Sequence, residues 1–314
     1  MKYVLITPAR NEEKLIEHAL KSVSAQTHPP ERWVIVDDGS TDRTAAIVTE
    51  YAKRYPWIEL LSRPPHIERS FAGKVRAFNA GYSQVQALDF EVMGNLDADI
   101  SFESNYLKFL MERFSEDPKL GVAGTPFVED DGYDSAKDSF EGENYVAGGC
   151  QLFRRRCFED VGGYIPNREG GIDWIAVMTA RMKGWKVRSF AELRFHHHRT
   201  LGTAQTGNLG ALFDYGKRAY YLGGSPLWQF FRVLYRMARK PFVVGGLALL
   251  FGYCWAAITR VKRPVSPELM RFNRQEQMKK LRAIFGRLLR FKKVDSFRLS
   301  ANTKEGSNSG VFRI

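Results

Sequence analysis

Two acids one residue apart, Asp97-Ala98-Asp99, follow the strand-like run Phe90–Leu96. In an extended segment residues i and i+2 face the same way, which sends both carboxylates into one crevice. Two like charges that close repel unless a cation lies between them. Mg²⁺ or Mn²⁺, held by one or two carboxylates, completes its shell with phosphate oxygens. The same spacing also occurs in turns, so the pair needs company. Val36-Asp37-Asp38-Gly39-Ser40-Thr41-Asp42 breaks a buried strand into two acids, a glycine and hydroxyls. Carboxylates accept hydrogen bonds from a base N–H or a ribose hydroxyl. Gly39, Ser40 and Thr41 would equally serve a turn and a helix cap, but two acids exceed what a cap needs. Thr7-Pro8-Ala9-Arg10-Asn11-Glu12-Glu13 closes the first apolar run in the same way. Lys74-Val75-Arg76-Ala77-Phe78-Asn79-Ala80-Gly81 supplies cations: Lys74 or Arg76 could meet a phosphate or a base carbonyl, or line a solvated helix face.

The elements that must position these residues alternate. Tyr3–Thr7, Trp33–Val36, Ile58–Leu61, Phe90–Leu96 and Leu120–Gly124 read as strands. Glu12–Gln26, Thr41–Tyr55, Lys74–Val85 and Asn105–Phe114 carry helical spacing. Strands separated by helices imply βαβ units and a mostly parallel sheet. Ligands bind such sheets at the carboxyl ends of the strands, where the polar clusters converge. Residues 129–143 hold seven carboxylates against one lysine; this predicts a mobile connection, either a lid over substrate or a solvated loop. Beyond Cys150 order resumes, with a helix from about Asp173 to Lys183 and a strand over Val187–Phe190.

Thr7–Glu13, Val36–Asp42, Lys74…Asn79-Ala80-Gly81 and Asp97-Ala98-Asp99 together resemble, in order and approximate spacing, the family 2 glycosyltransferases. The resemblance covers roughly residues 1–200. It implies an α/β fold of the GT-A type: a Rossmann-like, three-layer nucleotide-diphospho-sugar transferase domain around a mixed, mostly parallel sheet. It implies a nucleoside-diphosphate sugar donor, with UDP favoured, and Mg²⁺ or Mn²⁺. Asp38 then contacts the base or ribose, helped by Pro8, Ala9, Glu12, Ser40, Lys74 and Asn79. Asp97 and Ala98 lie near the ribose, and Asp99 ligates the metal. The family inverts the anomeric centre, a general base taking the acceptor's proton. The matching text for that base is Gly170-Gly171-Ile172-Asp173-Trp174, with Ile172 where the family has glutamate, so Asp173 is assigned the role. In His196-His197-His198-Arg199, His196 and His198 share a face if extended, and His198 is the expected metal ligand. A nucleotidyltransferase would want a glycine-rich basic loop after the first strand, and Pro8–Glu12 has no glycine.

The chain of 314 residues is 44% apolar and 26% charged, ordinary globular composition that excludes a disulfide mini-protein or a wholly disordered chain. Cys150, Cys157 and Cys254 form no metal-type pair and suggest a reducing compartment. The start of the chain, with a short apolar run from Tyr3 to Ile6 and then Arg10 and Glu12, predicts no secretory signal. The net charge of +12 is uneven: residues 231–314 hold 19 basic and 4 acidic residues, or +15, and the preceding part carries −3. Leu227, Phe230, Phe231 and Leu234 follow helical spacing, with Arg232, Arg236, Arg239 and Lys240 on another face. Nineteen uncharged residues follow, 241–259, about 28 Å as a helix against a ~30 Å hydrocarbon core. A further basic helix is predicted over 266–293. The domains expected are therefore 1–225, catalytic; 226–300, membrane-associating helices with a possible span at 241–259; and 301–314, a disordered tail. The partners expected are a glycan or lipid-linked acceptor, as in envelope polysaccharide or glycolipid assembly, and anionic membrane lipid, without nucleic acid. The location expected is the cytoplasmic face of the cell membrane, peripheral or single-pass.

Overall fold

The computed structural model describes residues 1–65, 71–138, 142–167, 170–199 and 208–290. The first half alternates as the sequence predicts: β1 (Tyr3–Ala9), α1 (Ile16–Ser24), β2 (Arg32–Asp37), α2 (Thr44–Arg54), β3 (Ile58–Ser62), α3 (Phe71–Val85) and β4 (Val92–Leu96). A short β5 (Ile100–Ser101) precedes α4 (Tyr106–Glu116), β6 (Leu120–Gly124), β7 (Phe127–Glu129) and the one-turn α5 (Ser135–Asp138). Then come β8 (Cys150–Arg154), α6 (Arg155–Val161), α7 (Ile172–Met182), β9 (Lys186–Ser189) and β10 (Phe195–His197). The helices α8 (Asn208–Tyr221), α9 (Pro226–Met237), α10 (Val244–Ile258) and α11 (Pro267–Leu288) end the described chain.

Seven strands form one sheet in the order β3-β2-β1-β4-β8-β6-β9. β1 pairs in parallel with β2 and β4, and β2 with β3, whereas β8 runs antiparallel to β4 and β6. The sheet is thus mixed but mostly parallel. Its central strands are apolar on both faces because helices cover both. Leu5 and Trp33 point into a core shared with Ile16, Leu20, Tyr106 and Leu110. Val4, Ile6 and Val34 point into the opposite core with Val75, Phe78 and Val177. A second, three-stranded sheet, β5-β10-β7, stands beside the crevice.

Several boundaries depart from the sequence reading. α1 begins at Ile16 rather than Glu12, because the Glu12 carbonyl accepts the amides of Leu15 and Ile16 at 2.9 and 2.8 Å and starts the helix there. Asp97–Asp99 is not extended: β4 stops at Leu96 and the chain turns before β5. The Asp97 amide donates to Gly149 O at 2.8 Å, and Asp99 O accepts from the His198 amide at 2.9 Å. Strand alternation therefore does not bring the two acids together; the turn and its two neighbours do. Part of the acidic stretch, expected as a mobile connection, forms a turn and a short helix. Val128 bridges Asp134, Glu129 and Tyr133 close a tight turn at 3.0 Å, and α5 follows; residues 139–141 lie outside the described residues.

The C-terminal region changes most. α8 was not legible in the sequence. The stretch 241–259 is not a span: α10 has 15 residues, about 22 Å at 1.5 Å per residue, and among the described residues no helix is long and apolar enough to cross a membrane. It packs instead on α8 at backbone contact. A Cβ on Gly252 would lie 2.0 Å from Phe213 O, and one on Gly216 would lie 2.1 Å from Leu249 O. The apolar stripe read on α9 splits. Trp228 is buried against Ile284 of α11 with Phe231 partly covered, while Leu227, Phe230 and Leu234 face outward. α11 is tied back to the body by an ion pair between Arg181 and Glu276 and by Ser225 N donating to Gln277 Oε1 at 2.7 Å. The expected tail, 301–314, lies outside the described residues.

Candidate active site

The carboxyl ends of β1, β2 and β4 open on one crevice, and hydrogen bonds hold each loop there. Asp37 Oδ1 accepts the Ser40 amide at 3.0 Å, so the first acid of the pair builds the turn. Gly39 completes it with φ +75, and a Cβ there would lie 2.7 Å from Pro65 Cα. Asp38 is held differently: its amide donates to Ala9 O at 2.8 Å and its carboxylate pairs with the Arg63 guanidinium. Pro8 and Ala9 pair with Val36 and Asp37 and form the floor between the loops. Ser40 Oγ accepts the Asn11 amide at 2.9 Å, and Asn11 Oδ1 accepts the Thr41 amide at 2.8 Å. Ser40, expected beside the donor, thus ties the β1 and β2 loops together. Glu12 donates its amide to Thr44 Oγ1 at 2.8 Å and turns its buried carboxylate toward Arg199.

The centre of the site is a charge cluster drawn from distant parts of the chain. Lys74 Nζ, near the start of α3, donates to Asp97 Oδ1 at 2.5 Å. Burial works against the Lys74 charge, but Asp97, Asp99 and Asp173 outweigh it and hold its pKa above the usual lysine value. Burial and the neighbouring Asp99 push the Asp97 carboxyl up despite Lys74 and His197. One ligand atom from each of Asp97, Asp99 and His197 lies within 4.8 Å of the other two. His197 Nε2 stands 3.6 Å from Asp99 Oδ1, and Arg199 reaches Glu12 Oε2 at 2.5 Å and Asp99 Oδ2 at 3.6 Å. A donor set of two carboxylates and one imidazole, carrying more negative charge than Lys74 relieves, fits a divalent cation of the Mg²⁺ or Mn²⁺ class.

Asp173 sits in the first turn of α7, behind Gly171, and its Oδ2 accepts the Tyr145 hydroxyl at 2.9 Å. Gly148 leaves room for it: a Cβ there would lie 2.9 Å from Asp173 Oδ2. The same loop feeds the metal side, because Asn95 Nδ2 donates to Gly148 O at 2.8 Å while Gly149 O receives the Asp97 amide. Burial pushes the thiols of Cys150 and Cys157 up to about 12, which removes thiolate chemistry from this region.

Two expected residues stand elsewhere. His198, expected beside Asp99, turns to the other side of β10. Its Nε2 meets Ser101 Oγ at 2.8 Å, its Nδ1 meets His196 Nδ1 at 3.2 Å, and its ring stacks on His18 at 4.0 Å. Strand alternation gives the inward position to His197. Burial and the neighbouring His18 and His196 hold His198 below the usual histidine pKa. Asn79 is exposed on α3, five residues and roughly 140° around the helix from Lys74. The structure does not bring it to the crevice. Sequence reasoning gave no role to Arg63, Tyr145 and Arg199, and preferred His198 to His197. Arg199 ended the quoted histidine run, and His197 was the odd member of an alternating triplet. Arg63 and Tyr145 carried no local signal.

The model for glycosyl transferase family 2 matches residues 4–145. A poly-beta-1,6-N-acetyl-D-glucosamine synthase of Staphylococcus epidermidis is 28% identical over 172 residues, 48% of this chain and 39% of that protein. The chain spans less than two fifths of the length of the curated relatives it matches first. Among solved structures, S. aureus TarS 1-349 in complex with UDP-GlcNAc superposes with a TM-score of 0.55 at 16% identity, covering 95% of this chain and 90% of that one. The mannosyltransferase PcManGT from Pyrobaculum calidifontis, in complex with GDP-Man and Mn²⁺, does so with 0.53 at 18%, covering 93% and 81%. At these identities the structural likeness shows the fold, the GT-A type.

Proposed function

We propose, from the match of residues 4–145 to the model for glycosyl transferase family 2, that the chain moves a sugar from a nucleoside-diphosphate sugar, with UDP-sugars favoured, to a hydroxyl of a glycan or lipid-linked acceptor, inverting the anomeric centre. The observation that carries this is a set of acids gathered around one buried lysine: Asp97 hydrogen-bonds Lys74, Asp99 and Asp173 also raise the Lys74 pKa, and His197 joins Asp97 and Asp99 in one cluster. Asp38 and Arg63, with Pro8 and Ala9, offer acceptors, a donor and a floor for the nucleoside. Lys74 and Arg199 meet diphosphate oxygens. Asp97 and Asp99, with His197, would hold a divalent cation, which when bound neutralises the charge gathering on the departing diphosphate. Asp173 takes the acceptor hydroxyl's proton while Tyr145 fixes its other oxygen. The acceptor oxygen bonds to the anomeric carbon, and the bond from that carbon to the diphosphate breaks, its electron pair leaving with the nucleoside diphosphate.

The C-terminal helices support a peripheral seat on a membrane. Leu227, Phe230 and Leu234 on α9, and Phe242, Leu247, Phe251, Trp255 and Ile258 at α10, are exposed large apolar side chains. Arg232, Arg236, Arg239 and Lys240 border them, which suits an anionic lipid surface. Nucleotide sugars are cytosolic, so this reading sets the crevice on the cytoplasmic face, where a lipid-linked or envelope glycan acceptor is within reach.

The test is binding and turnover of UDP-, GDP- and dTDP-sugars with Mn²⁺, Mg²⁺ or EDTA. Metal-dependent binding of one donor is expected, with Asp173→Asn binding it normally and failing to turn over. Failure of every nucleotide sugar to bind would overturn the transferase reading.

A further inference from the structure

The outward face of β10 carries a second cluster that the transfer reaction does not use. His196 Nε2 lies 3.1 Å from Asp130 Oδ1, and His198 Nε2 lies 2.8 Å from Ser101 Oγ. Each ring therefore has its outer nitrogen engaged and turns its Nδ1 toward the other, 3.2 Å away. Asp130 is acceptor-only, so His196 carries its hydrogen on Nε2 when neutral and leaves a lone pair on Nδ1. Ser101 can accept as well as donate, so a tautomer shift, without loss of a proton, frees the Nδ1 lone pair of His198 too.

That arrangement has the dimensions of a metal site. With zinc–nitrogen bonds of about 2.0–2.1 Å, two tetrahedral ligands lie roughly 3.3 Å apart. Ligating histidines are oriented through their other nitrogen by a carboxylate or another acceptor, which are the places of Asp130 and Ser101. Asp130 Oδ1, held at His196 Nε2, lies on the far side of that ring from Nδ1, so it orients the ring while solvent completes the shell. We infer that His196 and His198, supported by Asp130 and Ser101, form a second divalent-metal site of the zinc, cobalt or nickel class, separate from the Asp97 and Asp99 site. The two sites sort by chemistry: imidazole nitrogen takes the borderline ions, and the carboxylates of the inner site suit Mg²⁺ and Mn²⁺. β10 joins them, since His197 points inward between the two outward rings, so zinc on the outer face clamps the strand that carries His197 and leads to Arg199.

The test is zinc binding by calorimetry on the full chain carrying Asp99→Asn, which silences the inner site, with Co²⁺ visible absorption as a second readout. One equivalent of zinc and a cobalt spectrum with nitrogen ligands are expected. Adding His196→Gln and His198→Gln should abolish both, an effect beyond the roughly 10–100-fold that an outer-shell change costs. Ser101→Ala and Asp130→Asn leave both rings in place and should weaken zinc by about 10–100-fold. These two variants carry the test if the double histidine variant does not fold. Absence of zinc binding in the Asp99→Asn chain, or zinc affinity unchanged by Ser101→Ala and Asp130→Asn, would overturn the inference.

Discussion

The crevice and the C-terminal helices are both places where the fold leaves something exposed or uncompensated, but of opposite kinds. In the crevice it is charge: among the described residues Asp97, Asp99, Asp173 and Glu12 gather around Lys74, Arg199 and His197, and burial drives the Asp97 carboxyl up. On α9 and α10 it is apolar area, with Phe251 at 62% and Ile258 at 79% exposure beside a basic border. Packing could have resolved either, and in the sheet it does, where Leu5, Ile6, Trp33 and Ile35 are wholly buried. On the proposed function, a cation and an anionic donor would offset that cost in the first case and a lipid surface in the second.

The comparison breaks first at Asp99. Asp99→Asn should lower kcat/KM roughly 10³-fold, about 4 kcal/mol of lost charge stabilisation, and abolish the metal dependence of donor binding in titrations with and without Mn²⁺. A variant that keeps its metal response would remove the crevice from the argument. Next, Leu227→Ser, Phe230→Ser and Leu234→Ser together should weaken binding to anionic vesicles about 10²-fold, near 1 kcal/mol for each side chain. Co-sedimentation with anionic and neutral vesicles at low and high salt would separate the apolar part from the basic border. Loss of all binding in salt alone would leave only the charges.

The two faces of β10 sharpen the same contrast on a smaller scale. His197→Gln should cost about 10-fold in Mn²⁺-supported turnover, and His198→Gln should cost less. Equal losses would mean that strand alternation does not separate the two sites. The smallest effect belongs to the seam between the halves. Arg181 of α7 pairs with Glu276 of α11. Burial raises the Glu276 pKa, but Lys279 and Arg181 outweigh it and hold it below the usual glutamate value. A depressed carboxyl contributes stability above its unfolded pKa and loses it as pH falls through the folded one. Glu276→Gln should therefore lower Tm by about 1–2 °C at pH 7, on the order of 1 kcal/mol, and the difference from wild type should vanish below the folded pKa. A difference that persists in acid would assign the effect to packing.

Much of the crevice was legible because its determinants are local. A buried strand that stops at acids and a glycine, as at Val36–Asp42, writes its own boundary, and three such strand ends with the Lys74–Gly81 helix, in order, carry the resemblance that implied the GT-A fold. The parallel order of β1 to β4 follows from apolar runs joined by helices. The C-terminal helices were legible as helices but not in their placement. Composition made 241–259 long enough to cross a membrane, whereas α10 begins at Val244 and lies on α8 through Gly216 and Gly252. Helical periodicity counted Leu227, Phe230, Phe231 and Leu234 as one apolar face, and only the position of α11 decided that Trp228 would be covered instead.

The amino-acid sequence by itself determined the strand ends, their acids and the basic, apolar character of the last part of the chain, since each depends on residues within a few positions of one another. Tertiary structure alone decided the partners. Arg63 reaches Asp38 across 25 positions, Tyr145 holds Asp173 across 28, and Arg199 meets Glu12 across 187. It also chose His197 over His198 for the inner face, because the pairing of β10 with β5 and β7 sets which side of the strand looks into the crevice. Spacing constrains neighbours along the chain; the register of distant strands is set by what the whole core can bury.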